Sequence, residues 1–439
     1  MAAVLAGPYS DQMRLRWPAP LEDRPFRLMW FAASTSAVGS AFVPVALAFA
    51  VFRSGGNATS LGLVLLAGTV AGLVAYIVGG VWADQMSRRG LMVAADLARM
   101  LVQAGVAAVL LTGHARIWML VVASVINSVA WSVFQPASTG LVAQLVPDSK
   151  LQKANSLLSV TMSGALLAGP ALSGLLVAAS GVGWSFALDA ASFAGSAAFL
   201  VAMPTLGLAE RTKRRFFAEL AEGWHEVTKR TWYWTNLIAH AVWNLAFCAF
   251  LVLGPVLALR RLDGAIGWGL VSTGLAAGAL IGGLVAMRVS GRRPLVTGNL
   301  ALMLAALPLL AFAARLPLLI VVACAVVGAS GGNILNIAWT TVVQQLIPNE
   351  VLGRVRSYDY TLAYIAMPAG YAAAGPLAAS FGADRVLVAA AGLIVLCPAV
   401  AIVLPSVRAI TRQPDGTIVH SPRRAGKVSS AVGASSSQL

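Results

Sequence analysis

Two stretches of this chain carry one signature 201 residues apart: VAQLVPDSKLQKANS at 142–156 and VQQLIPNEVLGRVRS at 343–357. The register continues without a gap. Gly169, Gly174 and Gly181 fall on Gly370, Gly375 and Gly382, and Pro147 falls on Pro348. The chain is therefore a duplicated unit repeated in the same orientation, each copy about half its length.

What the copies can fold into follows from their apolarity. The 439 residues are 59% hydrophobic and 11% charged, with a mean hydropathy of +0.80. A soluble domain carries roughly 25% charged residues, so most of this surface faces something other than water. A helix needs about 20 apolar residues to cross roughly 30 Å of hydrocarbon. Twelve stretches qualify, near 28–52, 60–82, 91–113, 117–145, 154–180, 183–204, 233–258, 265–287, 294–314, 318–346, 354–380 and 383–404. They predict an all-α membrane protein of twelve transmembrane helices, arranged as two pseudo-symmetric six-helix bundles. Their continuous apolarity excludes a β-barrel, whose strands alternate. The first apolar run follows a charged arm and lacks a small-residue cleavage site, so it reads as a span of the mature protein. Same-sense halves in a membrane point to a transporter with its site between them.

The formal charge of +15 is explained by its distribution and not by nucleic acid, which is not expected as a partner. Of the 31 Lys and Arg, 24 lie on the side of the N-terminus, the even-numbered loops and the C-terminal tail. Arg53, Arg116, Arg260, Arg261, Arg315 and Arg385 lie opposite, and Arg99 falls inside a span. Such asymmetry predicts both termini in the cytoplasm and a multi-pass protein of the cell's inner (plasma) membrane. Cys248, Cys324 and Cys397 are isolated in apolar spans, giving neither a disulfide framework nor a metal site.

The domain map follows: a cytoplasmic arm at 1–27, six-helix bundles at 28–204 and 233–405, a linker at 205–232 and a tail at 406–439. In the linker, Phe216, Phe217, Leu220, Trp224 and Val227 recur at helical spacing among charges, as in an amphipathic helix on the membrane surface. The tail is Ser-, Gly- and basic-rich without periodicity and reads as disordered.

Between the second and third spans runs GGVWADQMSRRGLMVAADLARM, residues 79–100. Asp84, Arg88 and Arg89 occupy a very short cytoplasmic turn; Asp96 and Arg99, three apart, share a face of the next helix. Charges at a membrane edge are costly unless paired, so the group reads as a conformational lock. Asp359, which follows Arg354 and Arg356, reads as an ion-pair partner for the same cytoplasmic gate.

This segment resembles the loop signature of the major facilitator superfamily, and GG..AD..SRR......D..R is similar to its branch of enterobactin-type siderophore exporters and macrolide-efflux proteins. RPFRLMWFAASTSAVGS, NATSLGLVLLA, FQPASTGLVAQLVP and LDAASFAGSAAFL are similar to that branch as well. The chain departs from the superfamily pattern at Gln85 and Ser87, and its second copy, GGLVAMRVSGRR, has Met287 where an Asp would fall. One gating lock, not two, follows. SGALLAGPALSG is similar to the superfamily's antiporter motif, in which Gly169, Pro170 and Gly174 would bend the fifth helix; ordinary helix packing explains the same residues.

The resemblance implies that the first, fourth, seventh and tenth spans line a central cavity. There the sequence places Ser36 and Ser40; Asn127, Trp131 and Gln135; His240, Trp243 and Asn244; and Asn333, Asn336 and Trp339. Polar groups at hydrocarbon depth must face protein or water. An aromatic, amide-rich cavity suits a bulky amphipathic organic substrate. Relatives often carry an acid after Gly in the first span, where this chain has Gly39–Ser40. Were transport proton-coupled, Asp359 or His240 would carry the proton, Asp189 having a helix-terminus explanation.

No Walker loop, zinc spacing or nucleophile elbow is present, so neither an enzyme nor a cofactor is expected. The expected function is export of amphipathic compounds, drug- or siderophore-like, by alternating access and as proton antiport if coupled. Membrane lipids surround a monomer in this reading. A lipid or lysolipid flippase and a non-transporting receptor or scaffold stay open beside it.

Overall fold

The computed structural model describes residues 20–83, 87–204, 225, 227–288, 291–348, 351–352, 355, 359 and 362–420. Among these, twelve helical segments are long and apolar enough to cross a membrane. They are Arg24–Arg53, Ala58–Tyr76 (the helix continues to Ala83), Arg88–Leu111, Ile117–Leu145, Ser149–Ser180 and Val182–Val201 in the first half. Thr231–Arg261, Ala265–Arg288, Pro294–Ala313, Leu318–Leu346, Leu362–Phe381 and Ala383–Val403 make the second. They are called spans 1 to 12.

Three of the described spans that read as single helices are interrupted, among them span 11, with a turn at Ile365–Ala366 just before Pro368. Span 1 consists of Arg24–Ser40 and Val43–Arg53 with a turn at Ala41–Phe42, and Pro44 opens its second piece. Proline lacks an N–H and suits a first helical turn better than an interior. Span 9 passes through a 3-10 turn at Met303–Ala306 just before Pro308. Span 5, by contrast, runs unbroken through Pro170. The spans are joined tightly: Gly181 and its repeat partner Gly382 take φ of 93° and 87° between spans 5 and 6 and between 11 and 12. A side chain would be strained there.

The halves pack alike. In the first, span 3 lies against spans 4 and 6, span 2 against span 4, and span 1 against span 6. In the second, span 10 lies against spans 8 and 9, and span 7 against spans 11 and 12. The main contacts between halves are span 5 with span 8 and span 11 with span 2. The duplication exchanges these two pairs, since it carries span 5 to span 11 and span 2 to span 8. The interface is therefore pseudo-two-fold.

Glycine permits it. A Cβ on Gly174 would collide with the Ala265 carbonyl, one on Gly269 with the Pro170 carbonyl, one on Gly62 with the Tyr371 carbonyl and one on Gly375 with Thr59. Small residues let helix backbones approach in this way. All four contacts sit near the face that carries the odd-numbered loops, with Arg53, Arg261 and Arg315. There Asp384 also binds Arg261 at 2.8 Å and Arg315 at 3.0 Å, tying spans 7, 9 and 12. Spans 4 and 10 do not pack on one another. Among the described residues the bundles thus meet at the odd-loop face and part toward the face of the termini.

The tail departs from the expected disorder as far as His420. After a short helix, Pro405–Arg408, strands β1 (Ile410–Arg412) and β2 (Ile418–His420) pair antiparallel. The Arg412 N–H donates to the Arg292 carbonyl at 2.8 Å, and the Ile418 N–H donates to Gln345 Oε1 at 2.7 Å. Val407, Ile410 and Ile418 join a buried cluster with Leu295, Val343 and Ile347. The overlooked signal is Gln413-Pro-Asp-Gly416, a turn sequence between two short apolar-alternating runs. The linker residues 205–224, Asp84, Arg354, Arg356 and residues 421–439 lie outside the described residues. The amphipathic linker helix is thus untraced but for its end, where Val227 is buried.

Candidate functional site

A cavity of about 680 Å³ opens between the halves. Its walls are almost wholly from the second: His240, Trp243, Asn244 and Phe247 of span 7, Leu275 and Ala279 of span 8, and Asn333, Asn336, Trp339 and Thr340 of span 10. Asp359, Ala363 and Tyr364 close one side, and Tyr76 of span 2 comes from the first half. All six second-half residues singled out from sequence therefore converge.

Aromatic packing shapes this wall. The Trp339 indole N–H reaches both Asp359 oxygens, at 3.0 and 2.9 Å. Its ring lies 4.9 Å from that of Tyr233 and edge-on to His240 at 5.4 Å. Trp243 stacks on Phe247 at 5.4 Å. The Asn244 amide donates to the His240 carbonyl at 3.1 Å and across to the Ala363 carbonyl at 3.0 Å, so it braces span 7 against the chain after Asp359. The Asn333 amide binds the Ala279 carbonyl on span 8, and Asn336 is left exposed. Asp359, read from sequence as a gate residue, stands on the cavity wall. Tyr76, Phe247 and Tyr364 were missed; a lone Tyr in the otherwise apolar span 2 was the available signal.

The first-half candidates do not line this cavity. Ser36 is buried and bonds its own helix at Ala33. Asn127 and Gln135 are half-buried on span 4, on either side of the exposed Trp131. Ser40 faces inward to the bundle and donates to Asp189 Oδ1 at 3.2 Å.

That contact belongs to a buried charge cluster between spans 3 and 6. Asp96 and Asp189 have no exposed surface and Arg99 has 2%. The antiparallel helices meet in register: Asp96 Oδ2 accepts from Ser196 at 2.6 Å, Arg99 lies over the Phe193 ring at 4.8 Å, and Gln103 donates to Asp189 Oδ2 at 2.6 Å. Arg99 Nη1 is 3.8 Å from Asp96 Oδ1, and its guanidinium also lies 5.1 Å from the Trp131 ring. Two expectations change here. Asp96 and Arg99 are not at the membrane edge, because Asp96 is roughly 12 Å along span 3 from Arg88. Nor is Asp189 a helix-terminus acid: it is roughly 10 Å inside span 6, past the turn where the dipole acts.

Arg88 and Arg89 do lie at the terminal face, and both are held within their own bundle. Arg88 Nη1 donates to the Gly140 carbonyl at 2.6 Å. Arg89 donates to the Leu200 and Val201 carbonyls at 2.7 and 2.6 Å, neutralising the C-terminal end of span 6. Bonded to carbonyls of spans 4 and 6, neither reaches the second half in this conformation.

Gly169 and Gly174 act by close approach. Gly169 lies against Ala41 at the break in span 1, and Ser173 donates to the Phe42 carbonyl in the same turn at 2.7 Å. Between them, the Ala171 N–H donates to Thr273 of span 8 at 3.1 Å.

A model of the Major Facilitator Superfamily matches residues 29–371. The multidrug efflux pump Tap of Mycolicibacterium fortuitum is 28% identical over 88% of this chain and 96% of that protein. Macrolide efflux protein A of Streptococcus pyogenes is 24% identical over the same shares. Among solved structures, the nucleoside transporter NupG (D323A mutant) aligns with a TM-score of 0.71 at 12% identity, over 86% of this chain and 98% of that one. A bacterial homologue of the iron transporter ferroportin in an inward-facing state aligns with a TM-score of 0.68 at 16% identity, over 88% and 99%. These likenesses are of fold.

Proposed function

This chain belongs to the Major Facilitator Superfamily, and we propose that it exports bulky amphipathic organic compounds across the plasma membrane by alternating access. It is a multi-pass membrane transporter and not an enzyme. The observation that carries the substrate class is the cavity: Trp243, Phe247, Tyr76 and Tyr364 offer aromatic faces, Asn333 and Asn336 offer amides, and the Asp359 carboxylate is held by the Trp339 indole. Such a wall binds through apolar area with a few orienting hydrogen bonds, which fits large amphipaths and not strongly charged solutes. The efflux relatives support the direction.

With both termini in the cytoplasm, as the Lys/Arg asymmetry argues, the conformation is inward-facing: sealed outside by spans 5 and 8 and by 11 and 2, open to the cytoplasm. Rocking would part those contacts and close the cytoplasmic side. In that state the turn carrying Asp84, Arg88 and Arg89 is the gate, with Arg88 and Arg89 free to exchange carbonyl partners of their own bundle for the second half. Gly169, Pro170 and Gly174 serve as the pivot of span 5.

Counterflow in proteoliposomes tests the reading without assuming an energy source. Vesicles preloaded with a macrolide or a fluorescent amphipathic dye should accumulate labelled compound, and Trp243→Ala should reduce it. Failure of every amphipath, with exchange of lysolipid instead, would replace export with flipping.

A further inference from the structure

We propose that the buried cluster of Asp96, Arg99 and Asp189 binds one exchangeable proton, and that this proton sets the balance between inward- and outward-facing states. The inference rests on the transport reading and names its driving ion and site.

Charge balance is the first argument. Two carboxylates and one guanidinium are enclosed together with at most 2% of any of them exposed. Spans 1, 3, 4 and 6 surround them, and from these helices the groups facing the cluster are Ser40, Gln103, Trp131, Phe134, Phe193, Ser192 and Ser196. None of these seven carries a charge. With both acids ionised the cluster holds a net negative charge out of water, which is costly; with one proton it is neutral. Arg99 lies between the two acids along span 3, so the proton that neutralises the cluster can sit on either.

The second argument is unfinished bonding. Asp96 Oδ1 and Arg99 Nε are buried with no hydrogen-bond partner. Polar atoms enclosed in a bundle are normally hydrogen-bonded, whereas Asp96 Oδ1 has only an ionic contact with Arg99 Nη1 at 3.8 Å, which leaves that oxygen a position for a proton.

Location is the third. Asp189 is gripped by Ser40, the last residue before the break in span 1, and a Cβ on Gly39 would collide with Ser192 beside it. On the other side of that break, Ala41 and Phe42 receive Gly169 and Ser173 of span 5. Span 5 in turn supplies Pro170, Ala171 and Gly174 to the contact with span 8. Moving a proton on or off Asp189 therefore bears on the hinge in span 1 and on the interface that rocking must open. Arg99 lies under the Trp131 ring, and Trp131 is exposed on span 4. In each cycle a carboxylate O–H forms with a proton from water on one side of the membrane. It dissociates to water on the other.

The test needs no substrate. Cys248, Cys324 and Cys397 are replaced by Ser, spin labels are placed at Ser54→Cys and Ser380→Cys on the odd-loop face, and their separation is measured in nanodiscs against pH. Wild type should interconvert between two distances with pH. Asp96→Asn and Asp189→Asn each leave Arg99 with one carboxylate, so the response to pH should be lost. Ser40→Ala, which only removes a donor to Asp189, should keep the response with a displaced midpoint and guards against misfolding of the Asn variants. No pH response in wild type, or full response in both Asn variants, overturns the proposal. A pH response in a protein that moves no amphipath in counterflow removes the export reading and leaves this one. Counterflow that survives in Asp189→Asn with loss of pH-gradient-driven accumulation supports both.

Discussion

Gly174 and Gly375, repeat partners 201 positions apart, each receive the first turn of a span from the opposite half: Ala265 and Ile266 for Gly174, Thr59 for Gly375. In both cases an added Cβ meets backbone, so no rotamer relieves the clash. Gly174→Val and Gly375→Val should therefore cost the closed odd-loop face about 1–3 kcal/mol. That shifts the conformational population roughly 5- to 150-fold. Thr273→Cys, whose native hydroxyl is engaged by Ala171, should label faster with maleimide in either background. Unchanged labelling would mean that this contact is not what holds the face shut.

The cavity is asymmetric, and affinity should be too. Trp243→Ala removes an aromatic face and should weaken amphipath binding about tenfold, or ~1.4 kcal/mol. Gln135→Ala, off the cavity wall, should stay within about twofold. Fluorescence quenching on purified protein reads both; equal losses would assign the first half a share of the site.

Arg88→Ala deletes the bond to the Gly140 carbonyl and, in the proposed gate, a contact of the outward-facing state. Turnover should fall by an order of magnitude or more if about 1–3 kcal/mol is lost from one state, while surface expression and inward-facing affinity hold. A variant with normal turnover reduces Arg88 to a packing residue.

The β1–β2 hairpin should be part of the stable fold through His420. Ile410→Ala, at a fully buried position, should destabilise by about 2–5 kcal/mol and lower the midpoint of thermal unfolding by several degrees. Truncation after Ser421 should not. If the two proteins melt together, the hairpin is only docked.

Lys150 and Asp263 should lie on opposite faces of the membrane. An impermeant thiol reagent applied to intact cells should modify Asp263→Cys and spare Lys150→Cys. The reverse pattern would invert the map and make the present conformation outward-facing.

The duplicated signature and the twelve apolar runs were sufficient for the fold, because helix number and membrane crossing depend on local composition and length. The second-half cavity residues were legible for the same reason: amides and Trp at three- and four-residue spacing on an apolar helix must face protein or water. Short-range chemistry also marked the Pro-Asp-Gly turn in the tail, where absent periodicity drew more notice than the turn itself. Sequence could not show which charges meet across helices. Asp96, Arg99 and Gln103 are positioned by span 3 alone, but their partners Ser196, Phe193 and Asp189 arrive from a helix 86 to 100 residues away, set by the antiparallel register of spans 3 and 6. Likewise Gly39–Ser40, read as lacking an acid, has one supplied from Asp189, 149 residues on. Helix existence is a local property of the chain; the pairing of buried charges is decided by helix register and packing, which only the tertiary structure contains.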